Sequence, residues 1–154
     1  MKLVIMAALV AFAMPSIGQT QQAAQIFSAR DMASQLGSLT QAAKTTGSSG
    51  ATLGNYQSHS IQLSMRTASG GAEVHAHYDD IFVVTGGNAT LITGGTIENA
   101  QTASDGETKG KSIRNGQSQT IGKDDVVHIP AGTPHQLIIE PGSIFSSIVV
   151  KVKE

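Results

Sequence analysis

The motif His75-Ala76-His77 is the part of the sequence whose residue types and spacing most directly indicate chemistry. On a β-strand, side chains at positions i and i+2 project from the same face, about 6–7 Å apart. Two imidazoles placed in this way can converge on one metal ion. Glu73 has the same parity, and polar groups on an inward strand face need a common partner. The spacing therefore predicts a metal site. Glu73 would be a ligand or an acceptor for an imidazole N–H; the alternative is that it is a plain polar residue of the strand.

A third histidine lies far along the chain, directly after a predicted rigid turn. The segment Pro130-Ala131-Gly132-Thr133-Pro134 precedes His135, and proline and glycine restrict the backbone of such a turn. His135 would therefore be held in a defined direction before any ligand arrives. We expect His75, His77 and His135 to bind one ion. The alternative is that they are hydrogen-bonded or solvent-facing histidines of a metal-free domain.

Short β-strands are the elements that would position these histidines. Polar and apolar residues alternate from Ser58 to Arg66, which predicts a strand with one buried face, with Met65 on a pocket wall and Arg66 on the surface. Gly86-Gly87-Asn88 predicts a hairpin turn. Further strands are predicted near residues 72–77, 81–84, 89–93, 117–121, 126–129, 135–139 and 144–152. Many short strands without helical periodicity predict an all-β sandwich or barrel.

Two other segments carry weaker patterns. Residues 94–116 are polar and glycine-rich, which predicts a surface excursion that could lie over the mouth of a barrel as a lid. Between residues 19 and 54 we expect a loose lead-in and one short helix, which Ser28 caps. Its apolar stripe consists of Met32, Leu36 and Leu39. Residues 45–54 are rich in Ser, Thr and Gly and are predicted to be a linker.

The first eighteen residues have the pattern of a secretory signal peptide. Lys2 precedes an apolar run over residues 3–14, and small residues follow at positions 16–18. This pattern predicts cleavage near Gly18 and export to the periplasm or the medium. The run is too short to span a bilayer, which needs about 20 residues, so no stable membrane anchor is expected after cleavage. Residues 55–154 would then form the single β-barrel domain.

Composition excludes several classes of function. The chain has 154 residues, enough for one domain, and a formal net charge of −1 without clusters of Lys and Arg. A nucleic-acid-binding surface needs a basic stripe and stacking aromatic residues, so we expect no nucleic-acid partner. The chain contains no cysteine, and it therefore has neither disulfides nor a thiolate to bind a metal or to act as a nucleophile.

Taken together, the two histidine segments resemble the two conserved motifs of the cupin superfamily. The first motif is matched by Gly70, His75, His77, Asp80 and Gly87, and the second by Pro130, Gly132 and His135. The chain departs from the pattern in having Asp80 for the usual Glu, Asp124 for Gly and Ile139 for Asn. The resemblance extends over roughly residues 55–152. It implies a double-stranded β-helix, or jelly-roll, barrel with a short N-terminal helix.

The resemblance also implies a ligand set and a partner. Asp80 takes the position of the family's Glu, which makes it the fourth ligand beside His75, His77 and His135; its alternative role is to cap the turn at residues 78–80. Pocket candidates are Glu73, His128, Tyr78 and Phe82. A homodimer is implied, as is usual for small cupins.

Imidazole and carboxylate ligands suit one divalent transition metal, Mn, Fe, Ni, Co or Zn, without choosing among them. The first functional hypothesis is a metal-dependent enzyme acting on a small oxygen-containing molecule. The resemblance implies a dioxygenase, a decarboxylase, an isomerase or a lyase, and no catalytic acid or base is assigned, although His128 or Tyr78 could serve. The alternatives are a non-catalytic protein that binds a metabolite or sugar, and a structural or partner-binding barrel.

Overall fold

A computed structural model describes residues 23–154. The predicted signal peptide, residues 1–18, lies outside the described residues. The described chain forms one helix, α1 (Ala29–Thr46), and thirteen strands. The strands are β1 (Ser48–Asn55), β2 (His59–Arg66), β3 (Ala72–His75), β4 (Tyr78–Gly86), β5 (Asn88–Thr93), β6 (Thr96–Glu98), β7 (Gln101–Thr102), β8 (Glu107–Gly110), β9 (Ser112–Arg114), β10 (Gln117–Gly122), β11 (Val126–Ile129), β12 (His135–Ile138) and β13 (Phe145–Lys153). The prediction of an all-β domain with an N-terminal helix is confirmed.

Two antiparallel sheets form the jelly-roll barrel. One has the strand order β1-β2-β13-β4-β11, the other has the order β10-β5-β12-β3-β8-β7, and β6 pairs with β9 in a separate ribbon. Most neighbouring positions in each sheet are held by strands distant in sequence, as expected for a double-stranded β-helix. Most of the buried apolar residues form one cluster: Phe82, Val84, Ala89, Leu91, Ile121, Ile129, Leu137, Ile139, Phe145 and Val149.

Helix α1 covers the outer face of the sheet at β1 and β2. Ser28 caps its N-terminus by accepting a hydrogen bond from the backbone N–H of Asp31, and Gly47 ends it with φ of 84°. The hydroxyl of Thr67 donates to the carbonyl of Ala43 at 2.6 Å. The predicted linker over residues 45–54 is wrong, because most of it forms β1, which pairs with β2. Pairing and the cover of α1 outweigh the low strand propensity of its small residues.

The two faces of β2 are used in the opposite sense from the prediction. The polar residues Gln62, Ser64 and Arg66 line a cavity inside the barrel. Leu63 and Met65 are buried on the other face, where α1 packs against β2. Predicting Arg66 on the surface and Met65 on the pocket wall was therefore wrong. The apolar face of β2 is buried against the helix and not in the interior of the barrel.

The segment 94–116 is not a structureless excursion. It contains β6 to β9, and β8 pairs with β3 and extends that sheet. The hairpin at Gly86-Gly87-Asn88 is confirmed, since Gly87 joins β4 to β5 with φ of 73°. The strand predicted to run to His77 ends at His75, and Ala76 and His77 form a turn. Among residues 23–154, no helix is both long enough and apolar enough to cross a membrane.

Candidate metal centre

Three strands from both sheets bring two histidines and two carboxylates together. Glu73 and His75 lie on β3, and His135, the first residue of β12, is the register partner of Glu73. Asp80 lies on β4 in the opposing sheet. The rings of His75 and His135 have centroids 5.1 Å apart. The site therefore lies between the two sheets, where the strand register fixes the backbone of every member.

The ring nitrogens and carboxylate oxygens converge on one point. His75 Nε2 lies 3.3 Å from Asp80 Oδ2, and His135 Nε2 lies 3.7 Å from the same oxygen. Glu73 Oε1 lies 3.6 Å from His135 Nε2. One donor atom from each of Glu73, His75 and His135 lies within 4.8 Å of the other two. Such a set of two imidazoles and two carboxylates is a donor set for a divalent transition metal.

Hydrogen bonds at the Nδ1 atoms fix which nitrogen of each imidazole faces this point. His135 Nδ1 is 3.0 Å from the carbonyl oxygen of Thr133, which can only accept, so Nδ1 carries the proton. His75 Nδ1 is 2.5 Å from Glu107 Oε2, and a carboxylate there selects the same tautomer. In the neutral rings both Nε2 atoms then present lone pairs to the centre, as metal-binding histidines do.

One structural observation indicates that these residues fit a metal ion. His75 Nε2 and His135 Nε2 are buried and have no hydrogen-bond partner in the described part of the chain. Leaving a buried polar atom unsatisfied costs about 1–3 kcal/mol, and here two such atoms face the same point. A cation between them would satisfy both lone pairs together with the oxygens of Glu73 and Asp80.

The charges of the site favour ionised carboxylates. Burial raises the pKa of Glu73, but its contact with His135 and the charges of His75 and Lys151 outweigh this and lower the pKa to about 2. Burial likewise raises the pKa of Asp80, and its contacts with His75 and Lys151 hold the pKa below its usual value. Lys151 Nζ donates to Asp80 Oδ1 at 2.8 Å. Both carboxylates are thus negatively charged, as ligands must be.

The four residues of the cluster line a cavity of about 170 Å³ inside the barrel. Phe82, a predicted pocket residue, lies in its wall. Between the carboxylates and Arg66 the wall contains both apolar and small polar side chains. The lining consists of Gln62, Ser64, Arg66, Gly71, Glu73, His75, Asp80, Phe82, His135, Leu137, Ser147, Val149 and Lys151.

Three of the predicted site residues lie outside this cavity. His77 is exposed on the turn after β3, because the strand ends before the i+2 rule can apply to it. His128 is exposed and its Nε2 lies 3.0 Å from Asp79 Oδ2. Tyr78 is partly buried but does not line the cavity. The structure thus brings His75, His135, Asp80 and Glu73 together and leaves the others apart.

Asp79, the neighbour of Asp80, is the residue of this corner that binds the backbone of a turn. Asp79 Oδ1 accepts a hydrogen bond from the backbone N–H of Ala131 at 2.7 Å. This contact joins the start of β4 to the turn that precedes His135. Asp80, one methylene shorter than the Glu of the cupin motif, nevertheless reaches the cluster because β4 lies directly opposite β3 and β12.

Sequence reasoning missed two charged residues that contact the cluster. Glu107 lies in the polar segment 94–116, where no motif marks it, and only the pairing of β8 with β3 brings it to His75. Lys151 lies near the end of an apolar strand, on the parity of Ser147 and Val149, and Lys153 follows it on the same face. A charge at residue 151, next to the buried part of that face, was a signal that could have been used.

Comparison with known proteins supports the fold. No protein-family model matches the sequence, and no curated protein matches it. Solved structures do match. One is an uncharacterized conserved protein with a double-stranded beta-helix domain from Klebsiella pneumoniae, at TM-score 0.52 and 14% identity, covering 69% of this chain and 76% of that one. The Cnp3 cupin domain of Schizosaccharomyces pombe matches at TM-score 0.53 and 12% identity, covering 70% and 65%.

A third neighbour is the polyketide cyclase RemF from Streptomyces resistomycificus, at TM-score 0.51 and 15% identity, covering 70% of this chain and 66% of that one. The chain spans about two thirds of the length of the latter two proteins. At these identities the comparisons show the fold alone, and that fold is the cupin double-stranded β-helix. The resemblance noted in the sequence is confirmed at this level.

Proposed function

We propose that the protein binds one divalent transition metal between its two sheets and acts as a metal-dependent enzyme on a small oxygen-containing molecule. The observation that carries the proposal is the pair of buried Nε2 atoms of His75 and His135, which have no hydrogen-bond partner among the described residues and face two carboxylates. The ligands we assign are His75, His135, Glu73 and Asp80.

Each ligating histidine, and Asp80, is held by a contact of its own. Glu107 accepts from Nδ1 of His75, and the carbonyl of Thr133 accepts from Nδ1 of His135. Lys151 donates to Oδ1 of Asp80, whereas Oδ2 of Asp80 lies nearest the imidazoles. These contacts orient the donor atoms before the ion arrives, which lowers the entropic cost of binding.

The adjoining cavity supports catalysis in addition to storage of an ion. Held by His75, His135, Glu73 and Asp80, a divalent ion would supply Lewis-acid chemistry, or redox chemistry if it can change oxidation state. Phe82, Leu137 and Val149 line the adjoining space, and such apolar walls strengthen local electrostatic interactions. The cavity has room for only a small molecule.

Elemental analysis of protein purified without chelators tests the metal site. We expect about one divalent transition-metal ion per chain, lost in His135→Ala because one ligand is removed and no exposed group can replace it. His77→Ala is the matched control: it removes an exposed histidine from the neighbouring turn and should retain the metal. Full metal content in His135→Ala, or loss in His77→Ala alone, would contradict the assignment.

A further inference from the structure

We propose that the cavity is built for a short aliphatic carboxylate, whose carboxylate group pairs with Arg66 while its other end faces the metal ligands. The inference rests on the proposed function, for which it names the class of substrate. It is carried by a cation inside the barrel that has no counter-ion in the described part of the chain.

Arg66 is placed on the cavity side of the barrel by the parity of β2, which it shares with Gln62 and Ser64. Its guanidinium lies close to Gly70: a Cβ at that glycine would be 2.6 Å from one of its terminal nitrogens. The absence of a side chain at Gly70 therefore leaves room for the guanidinium, and the close fit restricts its position.

No hydrogen bond or ion pair joins the Arg66 side chain to another described residue, and its Nε atom is buried without a partner. Arg66 is half-buried, and buried polar atoms such as its Nε are normally satisfied. The other cation of the cavity, Lys151, is already bound to Asp80. Arg66 is thus the cavity cation that remains for a ligand.

The total charge of the lining favours an anion. Two cationic side chains, Arg66 and Lys151, and two carboxylates, Glu73 and Asp80, line the cavity. With neutral imidazoles these charges cancel, so a bound divalent ion leaves a net charge of about +2 in an enclosed space. Low-dielectric walls focus such a potential and raise the local concentration of anions.

The shape and chemistry of the wall favour a carboxylate over a phosphate. Phe82, Leu137 and Val149 offer apolar contacts for a carbon chain. A guanidinium pairs with one planar carboxylate through two parallel hydrogen bonds. A phosphate dianion carries a second charge and a further oxygen that one guanidinium leaves unpaired, and Lys151 is already bound to Asp80. A short chain with a carboxylate at one end and oxygen at the other matches the distribution of polar groups.

Calorimetric titration of the Mn²⁺-loaded protein with succinate tests the inference. We expect succinate to bind, and Arg66→Gln to weaken this binding about tenfold or more, because a charge-assisted bidentate pair is lost. Arg30→Gln is the matched control, since it removes the same charge from an exposed position in the first turn of α1 and should leave the affinity unchanged. The neutral 1,4-butanediol should not bind.

Manganese content and thermal unfolding of each sample separate the possible failures. Wild-type protein that holds neither Mn²⁺ nor any other divalent transition metal contradicts the proposed function itself. If the Mn²⁺-loaded Arg66→Gln variant binds succinate as tightly as the wild type and the Arg30→Gln control, only the subsite is contradicted. Tighter binding of inorganic phosphate than of succinate contradicts the subsite as well. If Arg66→Gln does not fold, Arg66→Lys keeps the charge without the planar fork, and the affinity for succinate must again fall.

Discussion

Replacing Glu107 tests whether the polar segment between β5 and β10 is part of the metal centre. Glu107 Oε2 lies 2.5 Å from Nδ1 of His75, and its side chain is hydrogen-bonded to none of the other proposed ligands in the described structure. Glu107→Gln keeps a hydrogen-bond acceptor at this position but removes the charge. Glu107→Ala removes both. Neither change removes a metal ligand, so the effect on metal affinity must pass through the orientation and basicity of His75.

The expected magnitude follows from the contact. Loss of the partner that orients a ligating histidine costs about 10–100-fold in metal affinity, which corresponds to about 1.4–2.8 kcal/mol. The side chain of His75 is 7% exposed and that of Glu107 is 27% exposed, so solvent only partly screens their interaction. We expect Glu107→Gln near the lower limit, because the amide oxygen can still select the tautomer, and Glu107→Ala near the upper limit.

Competition with a chromophoric chelator at about pH 8, well above the ordinary pKa of histidine, measures the affinity where imidazole protonation interferes least. Glu140→Gln is the matched control, because it removes an exposed carboxylate whose side chain makes no hydrogen bond in the described structure. A Glu107→Ala variant that binds the metal within roughly twofold of wild type would refute the argument. It would show that the backbone alone fixes His75.

Two further predictions concern the hairpin and the histidine itself. A left-handed backbone costs a non-glycine residue about 1–2 kcal/mol. Gly87→Ala should destabilise the fold by more than this, because a Cβ there would be 1.8 Å from the carbonyl oxygen of Ile144. Gly94→Ala, at φ of 71° in open space, should have only the conformational cost, and urea unfolding compares the two variants. Burial lowers the pKa of His75, but Asp80 raises it above 6.5 overall. The pair of protonated His75 and Asp80 should therefore stabilise the metal-free fold below pH 6.5, and this stabilisation should be lost as pH rises through the raised pKa. Urea unfolding at a series of pH values measures the loss, which His75→Gln should not show.

Much of the fold could be predicted because its signals are local. The hairpin glycines, the alternation in β2 and the apolar runs of β4 and β13 each depend on a few adjacent residues. Strand β1 was missed because its Gly, Ala and Asn residues have low strand propensity and are ordered by pairing with β2. The strands of segment 94–116 were missed because they are only two to four residues long, too short for alternation to be recognised. Export and dimerisation stay predictions from the sequence.

The candidate site residues could be predicted only where the bounds of the strands that carry them were predicted correctly. His75 and His135 were identified by their spacing, and Glu73 followed from the parity of β3. The prediction that included His77 assumed that the strand continued past His75, whereas the chain turns there. Glu107 could not be found, because antiparallel pairing across a gap of 32 residues leaves no local signal.

The error at Arg66 has a physical cause that extends beyond one residue. A strand with one apolar and one polar face is normally interpreted with the apolar face inward, on the assumption that only one face is buried. Here α1 covers the outer face of β2, so Leu63 and Met65 are buried outside the barrel. The inner face is thereby free to carry Gln62, Ser64 and Arg66. Because the helix removes the need for an apolar interior at β2, it permits the polar inner face that lines the cavity together with the proposed metal ligands.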